Sequence, residues 1–77
     1  MPVVRLFAAA EEAVGSERLD RTESDLGTLR LGLAADHPAL GAILPRCAVL
    51  VDGARVDDDA PLAAATVVDV LPPFAGG

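Results

Sequence analysis

The two glycines at the C-terminus, Gly76 and Gly77, are the residues of this chain best suited to take part in chemistry. Glycine has no Cβ, so a backbone that ends in two glycines can pass through a slot too narrow for side chains. We therefore predict that the terminal carboxylate of Gly77 is the reactive group.

The residues before these glycines favour a projecting tail. Pro72-Pro73 prefers a stiff, extended backbone and cannot donate hydrogen bonds to a sheet. Four extended residues reach about 13 Å, which is enough to enter the active-site channel of a partner. We therefore expect residues 74–77 to form a flexible tail, of which Phe74, Ala75 and Gly76 are inserted together with the terminal glycine.

The rest of the sequence lacks the side-chain patterns of an enzyme. It has no glycine-rich phosphate loop, no cysteine pair and no nucleophile–base motif. His37 has no second metal ligand nearby, and Asp57-Asp58-Asp59 lacks the spacing and closing Glu of a calcium loop. We expect a protein that is not catalytic by itself and binds no metal or cofactor, so partners must supply the acids, bases and metals.

Composition limits the classes of partner. The chain has a net charge of −6, with six arginines and no lysine. An acidic surface repels phosphate backbones, so we expect no nucleic acid, and it favours basic protein partners. No apolar run approaches the ~20 residues of a membrane span, and no signal segment is visible. Cys47 is the single cysteine, and we expect it to be a buried structural thiol. A chain that cannot form an internal disulfide fits a reducing compartment. We therefore predict a cytoplasmic protein without membrane contact.

The pattern of apolar residues predicts one α+β domain over residues 1–73. The elements are expected in the order strand 3–7, helical turn 8–15, weak strand 17–21, a main helix capped by Thr22 or Ser24 and ended by His37-Pro38, a short helical or irregular piece 38–44, strand 46–51, an Asp52-Gly53 hairpin turn, a short return strand 54–56, and strand 67–71. One helix packed across a mixed sheet of four to five strands is the β-grasp, or ubiquitin-like, arrangement.

Strand alternation predicts which side chains face a partner. The apolar positions expected to face the helix are Val4, Leu6, Val68 and Val70. Arg5 and Phe7 of the first strand, and Asp69 and Leu71 of the last, are then expected on the other face. In a β-grasp fold these strands are parallel neighbours, so we predict that Arg5 lies beside Asp69 and Phe7 beside Leu71. Two large apolar groups near the tail indicate a partner-binding patch; the alternative is that Phe7 packs under a loop.

The ending over residues 71–77 resembles that of the MoaD family, the small subunit of molybdopterin synthase, and more distantly that of the thiamin sulfur carrier ThiS. The resemblance covers the whole chain. Residues 3–7 and 11–15 match the opening strand and turn of the family, whereas Asp52-Gly53 and Pro61-Leu62 match its second half.

The resemblance implies a sulfur carrier without catalytic activity of its own, within a sulfurtransferase complex. A MoeB/ThiF-like enzyme would adenylate Gly77 with ATP, and a sulfur donor system would convert it into a thiocarboxylate. The tail would then enter a large MoaE-like subunit, which uses the sulfur to build the dithiolene of molybdopterin. Related carriers place apolar side chains against that subunit at the positions of Phe7 and Leu71, and Phe74 would extend this patch.

Three alternatives remain open. The carrier could deliver sulfur for the synthesis of thiamin, cysteine or another metabolite. It could be a ubiquitin-like modifier attached to lysines of target proteins, although a chain without lysine cannot accept an isopeptide bond on its own side chains. Finally, it could be a binding module whose terminal glycines have no role.

Overall fold

Four short strands form one mixed sheet in the computed structural model, which describes residues 1–73. The elements are β1 (Val3–Leu6), α1 (Ala9–Val14), β2 (Arg18–Asp20), α2 (Leu26–Asp36), α3 (Pro38–Ile43), a 3₁₀ turn (Leu44–Arg46), β3 (Ala48–Val51) and β4 (Val67–Leu71). The strand order is β2-β1-β4-β3, with β1 and β4 parallel and both outer pairs antiparallel. This confirms the predicted α+β, β-grasp fold. The tail predicted over 74–77 lies outside the described residues.

The core forms where strand alternation and helical spacing predict it. The side chains that join one buried apolar cluster include Val4, Leu6, Leu26, Leu29, Leu33, Val68 and Val70. Burying a Leu or Val side chain of this kind contributes about 1.5–3 kcal/mol relative to leaving it exposed. The apolar stripe of α2 therefore stabilises the two central strands, and this fixes the place where the chain leaves β4.

The cap of the main helix is Asp25, one residue after Ser24 and three residues after Thr22, the two predicted caps. Asp25 is extended, and its Oδ1 accepts a hydrogen bond of 2.7 Å from the Thr28 N–H. The predictions of Thr22 or Ser24 were wrong because the chain is still engaged with a neighbouring segment there: the Ser24 carbonyl accepts from the Leu62 N–H at 2.9 Å.

The predicted return strand over residues 54–56 was also wrong. The Asp52-Gly53 turn forms, with φ angles of 49° and 84°, but only Ala54 pairs back, through a single bridge to Val51. The chain then leaves the sheet because the next loop covers the start of α2, where the Asp58 carbonyl accepts from the Gly27 N–H at 2.7 Å.

Other boundaries differ by one or two residues. Ala8 has a φ of 50°, so β1 ends before Phe7 and α1 begins at Ala9. β3 begins at Ala48 because a 3₁₀ turn precedes it. Cys47 is only half-buried, in contrast to the predicted buried thiol, and its Sγ–H donates to the Ile43 carbonyl at 3.3 Å. No helix within residues 1–73 has the length and apolar character needed to cross a membrane.

Candidate functional site

The predicted tail would leave the domain at the end of β4, and we call this point the root of the tail. It lies at the centre of the sheet. β4 is paired on both sides, with Val70 opposite Leu6 of β1 and Val49 of β3. Beyond Leu71, Pro72 is buried and so holds the end of the strand against the domain. The predicted reactive Gly77 and the predicted insertion residues Phe74, Ala75 and Gly76 lie outside the described residues, so the described site is this root and the sheet face around it.

An ion pair crosses the centre of that face. The Arg5 guanidinium donates to both carboxylate oxygens of Asp69, from Nε at 2.6 Å and from Nη2 at 2.8 Å. This confirms the predicted neighbours, which the parallel register of β1 and β4 brings together. The hydrogen bond to Asp69 raises the pKa of the Arg5 guanidinium. The Asp69 side chain is only 14% exposed, against 55% for Arg5, so the pair is less open to water than the sequence implied.

Phe7 and Leu71 flank the root on the same face. The Phe7 N–H donates to the Val70 carbonyl at 3.3 Å, and the register Leu6–Val70 places Phe7 beside Leu71. The Phe7 side chain is 37% exposed, whereas Leu71 is half-buried. Cζ of Arg5 lies 5.8 Å from the centroid of the Phe7 ring, a cation–π contact that orients the ring.

The sequence analysis missed two residues that extend this face. Ala48 pairs with Leu71 and Leu50 pairs with Asp69, and both are half-buried beside β4. Alternation within β3, where Val49 is buried, could have indicated them, but their position beside the root depends on the strand order. We call the set Phe7, Leu71, Ala48 and Leu50 the apolar root face.

Metal chemistry has no ready site in the described part of the chain. Across residues 1–73, no three His, Cys, Asp or Glu side chains lie close enough together to hold a metal ion. Every buried polar side-chain atom in this part also has a hydrogen-bond partner.

The fold, with β4 at the centre of the sheet, defines a small ubiquitin-like protein of the β-grasp type. A model of the ThiS family matches residues 4–77, and the chain therefore belongs to the ThiS family of MoaD/ThiS-like proteins. No curated protein sequence matches the chain significantly.

Solved structures agree with this assignment. One chain of the complex of subunits 1 and 2 of the molybdopterin-converting factor from Helicobacter pylori is similar, with 28% identity, a TM-score of 0.75, and coverage of 99% of this chain and 97% of that chain. SAMP1 from Haloferax volcanii has 26% identity and a TM-score of 0.79 over 99% and 98% of the two chains. The small archaeal modifier protein SAMP1 from Methanosarcina acetivorans, at 22% identity and a TM-score of 0.87 over 99% and 95%, supports the fold.

The family and these neighbours define a coarse functional class. The protein is a MoaD/ThiS-like sulfur carrier or a ubiquitin-like modifier, and small proteins of this kind are generally non-catalytic carriers.

Proposed function

We propose that this protein is the sulfur-carrying small subunit of a molybdopterin synthase. The observation that carries the proposal is that the family match runs to Gly77 and that β4, the last strand before this ending, is held at the centre of the sheet. A strand paired on both sides holds the start of the tail in place, and glycines allow the end to enter narrow channels. Both features suit a chain end that is presented in turn to different active sites.

The proposed chemistry begins with activation of Gly77 by a MoeB/ThiF-like enzyme. The carboxylate attacks the α-phosphorus of ATP, so an acyl-adenylate forms and pyrophosphate leaves. Hydrosulfide from the donor system then attacks the acyl carbon and displaces AMP, which retains one carboxylate oxygen, and the thioacid formed loses its proton. The resulting thiocarboxylate carries the sulfur for the dithiolene. Residues 1–73 dock on the partner enzymes and present the tail to them. Catalysis is the task of those enzymes, and the activating enzyme uses ATP.

The large MoaE-like subunit is proposed to dock on the apolar root face. Phe7 and Leu71 lie beside the root, so a partner that covers them also surrounds the point where the tail begins. Large apolar side chains at the centre of an interface are typical binding hot spots. The H. pylori structure, a complex of subunits 1 and 2, supports a partner of this kind.

Binding to the MoaE-like subunit from the same organism tests this function. We expect the purified proteins to form a complex during size-exclusion chromatography, and a thiocarboxylated carrier to lose its sulfur only when that subunit and its pterin precursor are present. A reaction that contains a ThiF-like enzyme but no MoaE-like subunit serves as the control, and in it the thiocarboxylated carrier should keep its sulfur. Sulfur transfer to a thiamin or cysteine precursor, without transfer to the pterin, would contradict the molybdopterin assignment.

A protein modifier is the second candidate, because SAMP1 from H. volcanii covers 99% of this chain at 26% identity. In that case Gly77 would form isopeptide bonds with lysines of other proteins. Digestion of cell proteins and detection of a C-terminal remnant of this chain on lysine would favour the modifier. A chain lacking Gly77 is the matched control, because it has no terminal glycine carboxylate at the correct position.

A further inference from the structure

The arginines of this acidic chain fall into two groups. Four form ion pairs within the described residues: Arg5 with Asp69, Arg18 with Asp20, Arg21 with Glu23 and Asp36, and Arg30 with Asp58. Arg46 and Arg55 have no carboxylate partner within residues 1–73, and both are exposed. Within residues 1–73, these two guanidinium groups therefore form no ion pair, on a protein whose net charge is −6.

These two arginines converge although they are separated along the chain. Arg46 ends the 3₁₀ turn before β3, whereas Arg55 follows the hairpin turn after β3. Both line one open cleft, together with Leu71, Pro72 and Pro73. The positive pair thus lies at the root of the tail, on the β3 side, whereas Phe7 lies on the β1 side.

The position of the cleft restricts what can cover it. A protein that takes in the tail must close around Pro73, and it therefore covers the cleft that this residue lines. Removing a guanidinium from water is unfavourable unless acceptors replace the lost hydrogen bonds. An apolar or basic rim would leave both arginines uncompensated, whereas carboxylates offer the planar, bidentate geometry that guanidinium prefers.

We propose that Arg46 and Arg55 form a docking site for carboxylates on the rim of the enzyme that activates the tail. The proposal rests on the function proposed above, and it names the activating enzyme because activation is the step that the carrier and the modifier share. The acidic chain as a whole is expected to attract basic partners. At the tail root, however, the proposal requires an acidic surface on the partner.

The test measures ATP–pyrophosphate exchange by the MoeB/ThiF-like enzyme of the same organism at increasing concentrations of the carrier. The double variant Arg46→Ala/Arg55→Ala should raise KM by roughly tenfold or more, because two charged contacts are lost, while kcat stays within about twofold. Arg46→Lys/Arg55→Lys should recover part of the loss. The difference between the wild-type protein and the double alanine variant should shrink at high salt because the contacts are electrostatic.

Arg18→Ala is the matched control, because its side chain is 64% exposed and lies on β2, at the opposite edge of the sheet. It should leave KM within about twofold, since exposed pairs of this kind contribute little. Coincident urea unfolding curves for wild-type protein and variants exclude a change in folding.

The outcomes separate the two proposals. An unchanged KM for the double alanine variant, with an active wild-type protein, overturns the docking site and leaves the proposed function intact. A wild-type chain that the enzyme cannot activate overturns both. Binding of a single-stranded DNA 20-mer by the wild-type protein, lost in the double variant, would identify the arginines as a phosphate site and overturn the carboxylate docking.

Discussion

Replacing Arg21 with alanine should lower the free energy of unfolding by roughly 1–3 kcal/mol at pH 7. Arg21 donates to Glu23 at 2.6 Å and to Asp36 at 2.8 Å, so it connects the exit of β2 to the end of α2. The Arg21 and Glu23 side chains are only 15% and 13% exposed. Removing one partner of a fully buried pair costs about 3–5 kcal/mol, and the position near the surface reduces that value.

The loss should depend on pH in a defined direction. The hydrogen bond from Arg21 lowers the pKa of Glu23 below its ordinary value of 4.5. The contribution of Glu23 to stability is therefore fully present above the pKa of the unfolded chain. It is lost as the pH falls through the lower, folded pKa. The deficit of Arg21→Ala relative to the wild-type protein should consequently be largest at neutral pH and should shrink in acid.

Urea unfolding at pH 7, 5 and 3 measures this effect. With a slope of about 1 kcal/mol per molar urea for a small domain, the midpoint of Arg21→Ala at pH 7 should fall by roughly 1–3 M. Arg18→Ala is the control, because Arg18 and Asp20 are more than half exposed and 3.6 Å apart, and it should move the midpoint much less. Equal midpoints for the two variants at pH 7, or a deficit that does not shrink in acid, would refute the reasoning.

Two further predictions concern the apolar root face and the core. Phe7→Asp or Leu71→Asp should weaken binding to the MoaE-like subunit by at least roughly tenfold, as measured by calorimetry, while unfolding stays cooperative. The control is Leu31→Asp, because Leu31 lies on the outside of α2 and is 75% exposed. This control should leave the Kd unchanged. Unfolding of either root-face variant would show that the face assignment is inverted. Leu29→Ala should cost about 2–5 kcal/mol in urea unfolding because Leu29 is fully buried, and Leu31→Ala about 0.5 kcal/mol or less. Similar losses for the two leucine variants would contradict the assigned core.

The central strands could be predicted because their information is local. Alternation in β1 and β4 determines which side chains face the helix, and it remains valid wherever the strands pair. The Arg5–Asp69 pair then follows from the parallel arrangement that the fold requires. The same reasoning identified Phe7 and Leu71, whose role in binding a partner stays a prediction.

The errors arose where distant segments decide between locally equivalent choices. Thr22, Ser24 and Asp25 can all cap a helix. Asp25 does so because a bridge to Pro61 keeps the chain extended up to that residue. The return strand over 54–56 failed for a similar reason, since contacts of the following loop with α2 draw the chain away from β3.

The convergence of Arg46 and Arg55 could not be predicted from the sequence at all. It depends on the 3₁₀ turn before β3 and on the path of the chain after the hairpin, neither of which the apolar pattern encodes. The glycine ending, in contrast, could be noticed in the sequence because two adjacent glycines at one site are uncommon, and its chemical role stays a prediction.

The mass of the intact chain after incubation with the MoeB/ThiF-like enzyme, ATP and a sulfur source tests the central claim most directly. Replacement of one oxygen of the Gly77 carboxylate by sulfur should raise the mass by about 16 Da. A chain with one residue added after Gly77 should show no rise, because its carboxylate no longer belongs to that glycine. An unchanged mass for the wild-type chain, with an enzyme shown to be active on another carrier, would contradict the account.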